Sequence, residues 1–86
     1  MISQKDTKTV EEWVENHAEY CSKFWKVDFI FDSYDPEVQT FYVKDLQLDE
    51  GEELQFRHLF DLEEKIQNKF GKRYRVGIIY QQFPAS

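Results

Sequence analysis

The sequence has few of the residues that cross-link or interrupt a chain. Its 86 residues include one Cys, two Pro and three Gly. A single Cys excludes an intrachain disulfide, and a reducing compartment is then the simplest expectation. There is no apolar run of signal-peptide or membrane-spanning length. We therefore expect a soluble, cytoplasmic, single domain over residues 1–86, with residues 1–8 and 83–86 flexible.

Acidic residues are absent from the end of the chain. Residues 1–64 hold all 17 acidic residues and six of the 11 basic ones, a net charge of −11, whereas residues 65–86 hold five basic residues and no acid. The whole chain has a net charge of −6. This acidity disfavours nonspecific nucleic-acid binding, which requires an attractive field for phosphates. The asymmetry is compatible with a basic patch or with two halves that fold against each other.

A strongly amphipathic helix is predicted over residues 9–27, and the rest of the chain is organised around it. At about 100° per residue, its apolar residues share one arc and its charged residues the other. Thr9-Val-Glu-Glu12 has the form of a capping box that would start the helix. Because the arc is wide, we expect Trp13 and Phe24 to be buried against a sheet. The arc consists of Val10, Trp13, Val14, His17, Ala18, Tyr20, Cys21, Phe24 and Trp25.

Three segments with alternating or β-branched residues predict strands. Residues 26–32 alternate well, residues 33–36 have turn chemistry, and residues 37–44 are rich in β-branched and aromatic residues. These segments predict a β-hairpin. Residues 72–82 alternate again and predict a third strand.

The segment of residues 45–59 is compatible with two structures. One is a pair of short strands that would add a second hairpin. The other, which we prefer, is a long helix over residues 51–70, with Glu63 as the charged residue on its apolar face. Asp61-Leu-Glu-Glu64 could also be a capping box that starts this helix late. Gly71 is expected to end it in a left-handed conformation.

The predicted fold class is a single small α+β domain, ordered αββαβ, with two helices on one face of a three-stranded mixed sheet. A right-handed crossover through the second helix is expected to place the third strand beside the first and parallel to the second. The opposite face of the sheet would stay open around Ile30 and Ile79. That open face could support a dimer.

Metal binding and catalysis have weak support in the sequence. His17 and Cys21 are four residues apart on a helix, which suits two ligands of one metal, but both lie within its apolar arc. His58 has Asp61 nearby and no third recognisable partner. Residues 45–51 fit a calcium loop poorly, because the Gly is one position late and the third position is Gln. We therefore predict core roles for His17 and Cys21, with no metal, no cofactor and no catalytic activity.

Two acidic clusters are the first candidate for a binding surface. The simplest interpretation is a solvated surface that maintains solubility. The alternative is a negative surface that binds a protein partner with a basic surface, or that imitates the phosphate spacing of DNA. The clusters consist of Glu11, Glu12, Glu15 and Glu19 on the first helix, and of Asp49, Glu50, Glu52 and Glu53 after the second strand.

The basic end of the chain is the second candidate, as a nucleic-acid-binding surface. It consists of Lys69, Lys72, Arg73 and Arg75. A structural role is the stronger interpretation, in which Arg73 and Arg75 oppose Asp28 and Asp32 across the sheet.

The sequence thus favours a small acidic protein-binding domain without catalytic activity, acting as an inhibitor, antitoxin, immunity or adaptor protein. A nucleic-acid-binding domain is the first alternative, and a metal-handling or enzyme accessory subunit is the second. Short length, acidity and an aromatic content of 17% support the leading hypothesis, and no single motif does.

Overall fold

The computed structural model describes residues 1–47 and 51–80 and confirms a small α+β domain with a three-stranded mixed sheet. The elements follow the predicted order. They are α1 (Gln4–Trp25), β1 (Phe29–Asp35), β2 (Thr40–Asp45), a 3-10 turn (Phe56–His58), α2 (Phe60–Phe70) and β3 (Arg75–Tyr80). Neither helix of the described ranges combines the length and the hydropathy needed to cross a membrane.

Helix α1 begins earlier than predicted, at a different capping box. The Ser3 hydroxyl accepts from the Asp6 N–H at 3.1 Å, and the Asp6 carboxylate accepts from the Ser3 N–H at 3.0 Å. These hydrogen bonds hold the pKa of Asp6 below its usual range. Thr9 lies inside the helix, where its hydroxyl donates to the Lys5 carbonyl. The capping box predicted at Thr9 is therefore wrong, and residues 4–8, which we expected to be flexible, form the first turn.

The strand order is β1-β2-β3, with β1 antiparallel and β3 parallel to β2. The prediction that β3 lies beside β1 is therefore wrong, although its direction relative to β2 is right. Strand β2 buries Phe41 and Val43 and suits the centre of the sheet. Strand β1 has a bulge between Phe31 and Ser33, a feature typical of sheet edges.

Both helices cover one face of the sheet, α1 over β1 and α2 over β3, and share a single core. Trp13 is half-buried between the helices, 6.0 Å from the ring of Phe70. Phe24 is 59% exposed, so its predicted burial is wrong. The reason is length, because α2 has 11 residues and α1 has 22. The last turn of α1 extends past the start of α2.

The long helix predicted from Gly51 does not form. Residues 52–55 are extended, and α2 begins only at Phe60 after the 3-10 turn. Leu54 is fully buried, and its N–H donates to the carboxylate of the buried Asp45 at 3.2 Å, which anchors this extended segment at the end of β2. The N-cap of α2 is Leu59, without a side-chain hydrogen bond, so the capping box at Asp61 is also wrong. Outside residues 48–50, which are not described, the segment forms no second hairpin.

Helix α2 ends at Phe70 as predicted, and two of its side chains bind β3. Gly71 follows with φ of 130° and ψ of 153°, so the predicted left-handed helical conformation is wrong. The positive φ is nevertheless strained for residues with a side chain. The Glu63 carboxylate accepts from the Val76 N–H at 3.1 Å, and the Gln67 amide donates to the Tyr74 carbonyl at 3.0 Å. The charged residue on the apolar face of α2 therefore has a backbone partner.

Candidate functional site

His17, Cys21 and His58 form the contact between α1 and the 3-10 turn. The His17 Nε2 donates to the His58 carbonyl at 2.6 Å, and the Cys21 thiol donates to the same oxygen at 3.6 Å. The His–Cys spacing on the helix therefore serves to hold one backbone carbonyl. This contact fixes the turn that precedes α2.

The His58 ring is held in one tautomer. Its Nδ1 accepts from the Gln55 N–H at 3.0 Å, which requires a lone pair on that nitrogen. The ring proton then lies on Nε2, which is 3.3 Å from the Glu52 carboxylate. The Trp25 ring packs against the imidazole at a centroid distance of 5.1 Å. His58 is thus a buried side chain whose two nitrogens both have partners.

Cys21 has the properties of a structural thiol. Burial, with a further contribution from the charge of Asp61, raises its pKa from 9.0 to about 11. The thiolate is the reactive form of cysteine, so this side chain is a poor nucleophile near neutral pH. Within residues 1–47 and 51–80, no three His, Cys, Asp or Glu side chains are grouped as a metal site would require.

The acidic face of α1, which we define as Glu11, Glu12, Glu15 and Glu19, is exposed along its whole length. None of these carboxylates makes an ion pair with another described residue. The adjacent Lys23 ammonium lies 5.8 Å from the centre of the Phe24 ring. The acidic face is therefore available to solvent or to a partner.

A groove beside the acidic face continues the negative surface onto the sheet. It has a volume of about 420 Å³ and lies between α1 and the start of β1. Glu15, Glu19 and Asp28 line it, together with Lys23. The groove combines charge with a concave shape, so it could accept a basic side chain.

The second acidic cluster does not join the acidic face of α1. Glu52 accepts from Arg57 at 2.7 Å and lies beside His58, so its charge is partly neutralised. His58 contacts α1 at His17, which is about 160° around the helix from Glu19. Glu53 is exposed. Asp49 and Glu50, which were predicted in this cluster, lie outside the described residues.

An aromatic surface on the other flank of α1 was missed in the sequence. Tyr20 and Phe24 are 48% and 59% exposed, and their rings are 4.6 Å apart. The pattern of α1 alone placed both in the core. A second helix that starts only at Asp61 is too short to cover the last turn of α1. The possible capping box at Asp61 was therefore the signal in the sequence that Tyr20 and Phe24 could be exposed.

The groove between the helices has mixed charge. It has a volume of about 520 Å³ and is lined by Trp13, Asp61, Lys65 and neighbouring residues of α2. The Lys65 ammonium lies 4.6 Å from the centre of the Trp13 ring, a favourable cation–π contact. The cation is thus already engaged within the domain.

The basic residues do not meet the acids of β1. Lys69, Lys72, Arg73 and Arg75 are exposed, and the Arg73 guanidinium lies over the Tyr74 ring and donates to its hydroxyl at 3.1 Å. Arg75 is in register with Thr40 of β2. Because β2 separates β3 from β1, the predicted pairing of Arg73 and Arg75 with Asp28 and Asp32 is wrong.

Comparisons with known proteins give no functional information, since no family model, no curated protein and no solved structure matches this chain.

Proposed function

We propose that this chain is a small protein-binding domain of the cytoplasm, without catalytic activity, that acts as an inhibitor, antitoxin, immunity or adaptor protein. Its partner is a protein with a basic surface. The observation that carries the proposal is the acidic face of α1, where four exposed glutamates make no ion pair with a described residue.

Folding by itself does not favour this arrangement of charge. Glu12, Glu15 and Glu19 are three and four residues apart, so each neighbouring pair repels by a few tenths of a kcal/mol. Because α1 buries its opposite side, these carboxylates contribute no core contact. A basic partner would remove the repulsion and would be attracted to the surface before contact.

The groove between α1 and β1 adds a place for such a partner to dock. Glu15 and Glu19 belong both to the acidic face and to the groove, and Asp28 brings a third carboxylate from the sheet side. A convex acidic helix with an adjacent acidic groove suits a protein with projecting Lys or Arg side chains. Electrostatic complementarity of this kind mainly increases association rate and specificity.

The direct test is affinity capture from a lysate of the source cells, at low and at high salt. We compare the wild type with the Glu15→Lys/Glu19→Lys double variant. The matched control is Glu37→Lys/Glu64→Lys, which changes the net charge equally at two exposed positions outside the acidic face of α1 and its groove. The proposal predicts a basic protein that is retained at low salt, released at high salt and captured at least about tenfold less by the first variant.

Two outcomes would contradict the proposal. Equal capture by both double variants would make the acidic face a solvated surface only. Recovery of nucleic acid in place of a protein, lost when Arg73 and Arg75 are replaced, would favour the basic end as the binding surface.

A further inference from the structure

The two edges of the sheet differ in how they are protected. Strand β1 has a bulge after Phe31 and the charged residues Asp32 and Asp35, features that hinder pairing with another strand. Strand β3 has neither a bulge nor Pro, and residues 76–80 are uncharged. An unprotected, apolar edge is where a sheet accepts a further strand.

The direction of the backbone groups along β3 follows from one hydrogen bond. The Arg75 N–H donates to the Gln39 carbonyl at 3.0 Å, so the backbone of Arg75 faces β2. Because backbone direction alternates along a strand, that of Gly77 and Ile79 also faces β2. The N–H and C=O groups of Val76, Ile78 and Tyr80 therefore point away from the sheet.

Helix α2 satisfies only the beginning of this outer edge. Gln67 donates to the Tyr74 carbonyl, and Glu63 accepts from the Val76 N–H. No other described residue bonds the groups that follow. Those groups are, in order, the Val76 C=O, the Ile78 N–H, the Ile78 C=O, the Tyr80 N–H and the Tyr80 C=O.

We propose that this edge pairs with the same edge of a second copy of the chain, in an antiparallel two-fold dimer. Counted from the Val76 N–H, the outward groups alternate donor and acceptor, and this order is its own complement when the strand is reversed. With the axis at Ile78, the Ile78 N–H of each copy donates to the Ile78 C=O of the other, and the Tyr80 N–H donates to the Val76 C=O. The Tyr80 C=O of each copy takes the place of the Glu63 carboxylate at the Val76 N–H of the other, and the two sheets become one.

The side chains around the β3 edge favour a second copy of the chain as the partner. Phe60 is 62% exposed and lies on the same flank of α2 as Glu63 and Gln67, three and seven residues on. Tyr80 is 41% exposed and adds a second apolar side chain. The charged residues Asp61 and Lys65 lie on the opposite flank of α2, beside Trp13.

The acidic face does not oppose this association. Helix α1 lies over β1, at the far side of the sheet from β3, so the acidic faces of two copies would point away from each other. The interface consists of one short strand and one helix flank, which is small beside the roughly 800 Å² per partner of stable complexes. We therefore expect a reversible dimer that dissociates at micromolar concentrations. The dimer does not depend on the proposed function.

Sedimentation velocity of the full chain over a range of micromolar concentrations tests the dimer. We compare the wild type with Phe60→Lys, which places a charge beside the axis, and with the control Phe24→Lys, at a similarly exposed phenylalanine on α1. The wild type and the control should dimerise alike, and Phe60→Lys should weaken the dimer by about tenfold or more. A wild type that is monomeric throughout, or a dimer that Phe60→Lys leaves unchanged, would overturn the proposal.

Amide hydrogen exchange at low and high protein concentration tests the strand pairing itself. The Ile78 and Tyr80 amides should exchange fast in the dilute protein and slowly in the concentrated one. The Gly77 and Ile79 amides face β2, and the Val76 amide is bonded to Glu63 in the monomer and to the Tyr80 C=O of the other copy in the dimer. These three amides should change little. Concentration-independent exchange of Ile78 and Tyr80 in a sample that does dimerise would place the dimer elsewhere and refute this interface.

Discussion

Helix α1 has two faces that differ in their role: the inner face packs in the core, and the acidic face is exposed. On the inner face, Val10, Val14 and Cys21 are at most 1% exposed and belong to the core, and Cys21 also bonds to the 3-10 turn. On the acidic face, four glutamates are exposed without an ion pair to any described residue. The inner face accounts for why this helix folds here. The acidic face carries charge that folding does not require, which is the reason to assign it to a partner.

The largest loss of stability is expected when a charged residue is introduced on the inner face. Val14→Asp would bury a carboxylate without a partner and should lower the free energy of unfolding by more than about 3 kcal/mol. The adjacent, exposed Glu15→Ala should change it by at most about 0.5 kcal/mol. Urea denaturation followed by circular dichroism measures both. A Val14→Asp protein as stable as Glu15→Ala would show that the inner face is misassigned.

The buried thiol on the inner face predicts a loss of stability at alkaline pH. Because the Cys21 pKa is about 11 in the folded protein and 9.0 as a reference, the unfolded chain loses its proton first as the pH rises. The free energy of unfolding is therefore unaffected by Cys21 ionisation below pH 9. It decreases between pH 9 and pH 11, by about 2–3 kcal/mol in all.

The measurement is the unfolding free energy of the wild type and of Cys21→Ala at a series of pH values. Burial also raises the pKa of Tyr34 and Tyr80, but both tyrosines are present in both proteins, so the difference isolates Cys21. Parallel curves for the two proteins above pH 9 would refute the burial of the thiol.

A smaller loss of stability is expected from a change in the aromatic surface of Tyr20 and Phe24, which lies between the two faces. Phe24→Ala removes a ring that is 59% exposed and contacts Tyr20, so it should destabilise the domain by about 1 kcal/mol or less. Thermal melting of this variant measures the change. A loss of several kcal/mol would mean that the last turn of α1 is covered in solution.

The smallest change in stability is expected on the acidic face itself. Glu15→Lys/Glu19→Lys removes repulsion between neighbouring glutamates, so its melting temperature should be unchanged or slightly higher than that of the wild type. Melting at low and high salt measures this, and the difference should shrink at high salt. A clear drop at low salt would show that these carboxylates stabilise the fold.

The sequence predicted the elements whose signals are local. The periodicity of α1, the three strands, the end of α2 at Gly71 and the single α+β domain follow from residue patterns within each segment. The start of α1 was missed because two capping boxes of the same form, at Ser3 and at Thr9, lie in one polar stretch. Only the contact between Ser3 and Asp6 decides between them.

The features that depend on contacts between distant residues were not predictable in this way. The extended chain at Leu54 is anchored by contacts with distant residues, among them the carboxylate of Asp45, nine residues earlier, and such contacts override the helical periodicity of the segment. The strand order depends on which strand pairs with a neighbour along each of its edges, and no residue pattern within a single strand specifies this. Exposure of Phe24 depends on where another helix begins. For the candidate site, the glutamates of α1 were identified, but their separation from Glu52 was visible only in three dimensions.

The association rate of the captured basic partner as a function of ionic strength tests the central claim most directly. We expect the wild type to associate fast at low salt and to slow steeply as salt increases, because its acidic face attracts the partner. Glu15→Lys/Glu19→Lys should associate at least about tenfold more slowly at low salt and show a flatter salt dependence, while Glu37→Lys/Glu64→Lys stays close to the wild type. If the first variant associates at the wild-type rate at low salt, the acidic face of α1 does not bind the partner.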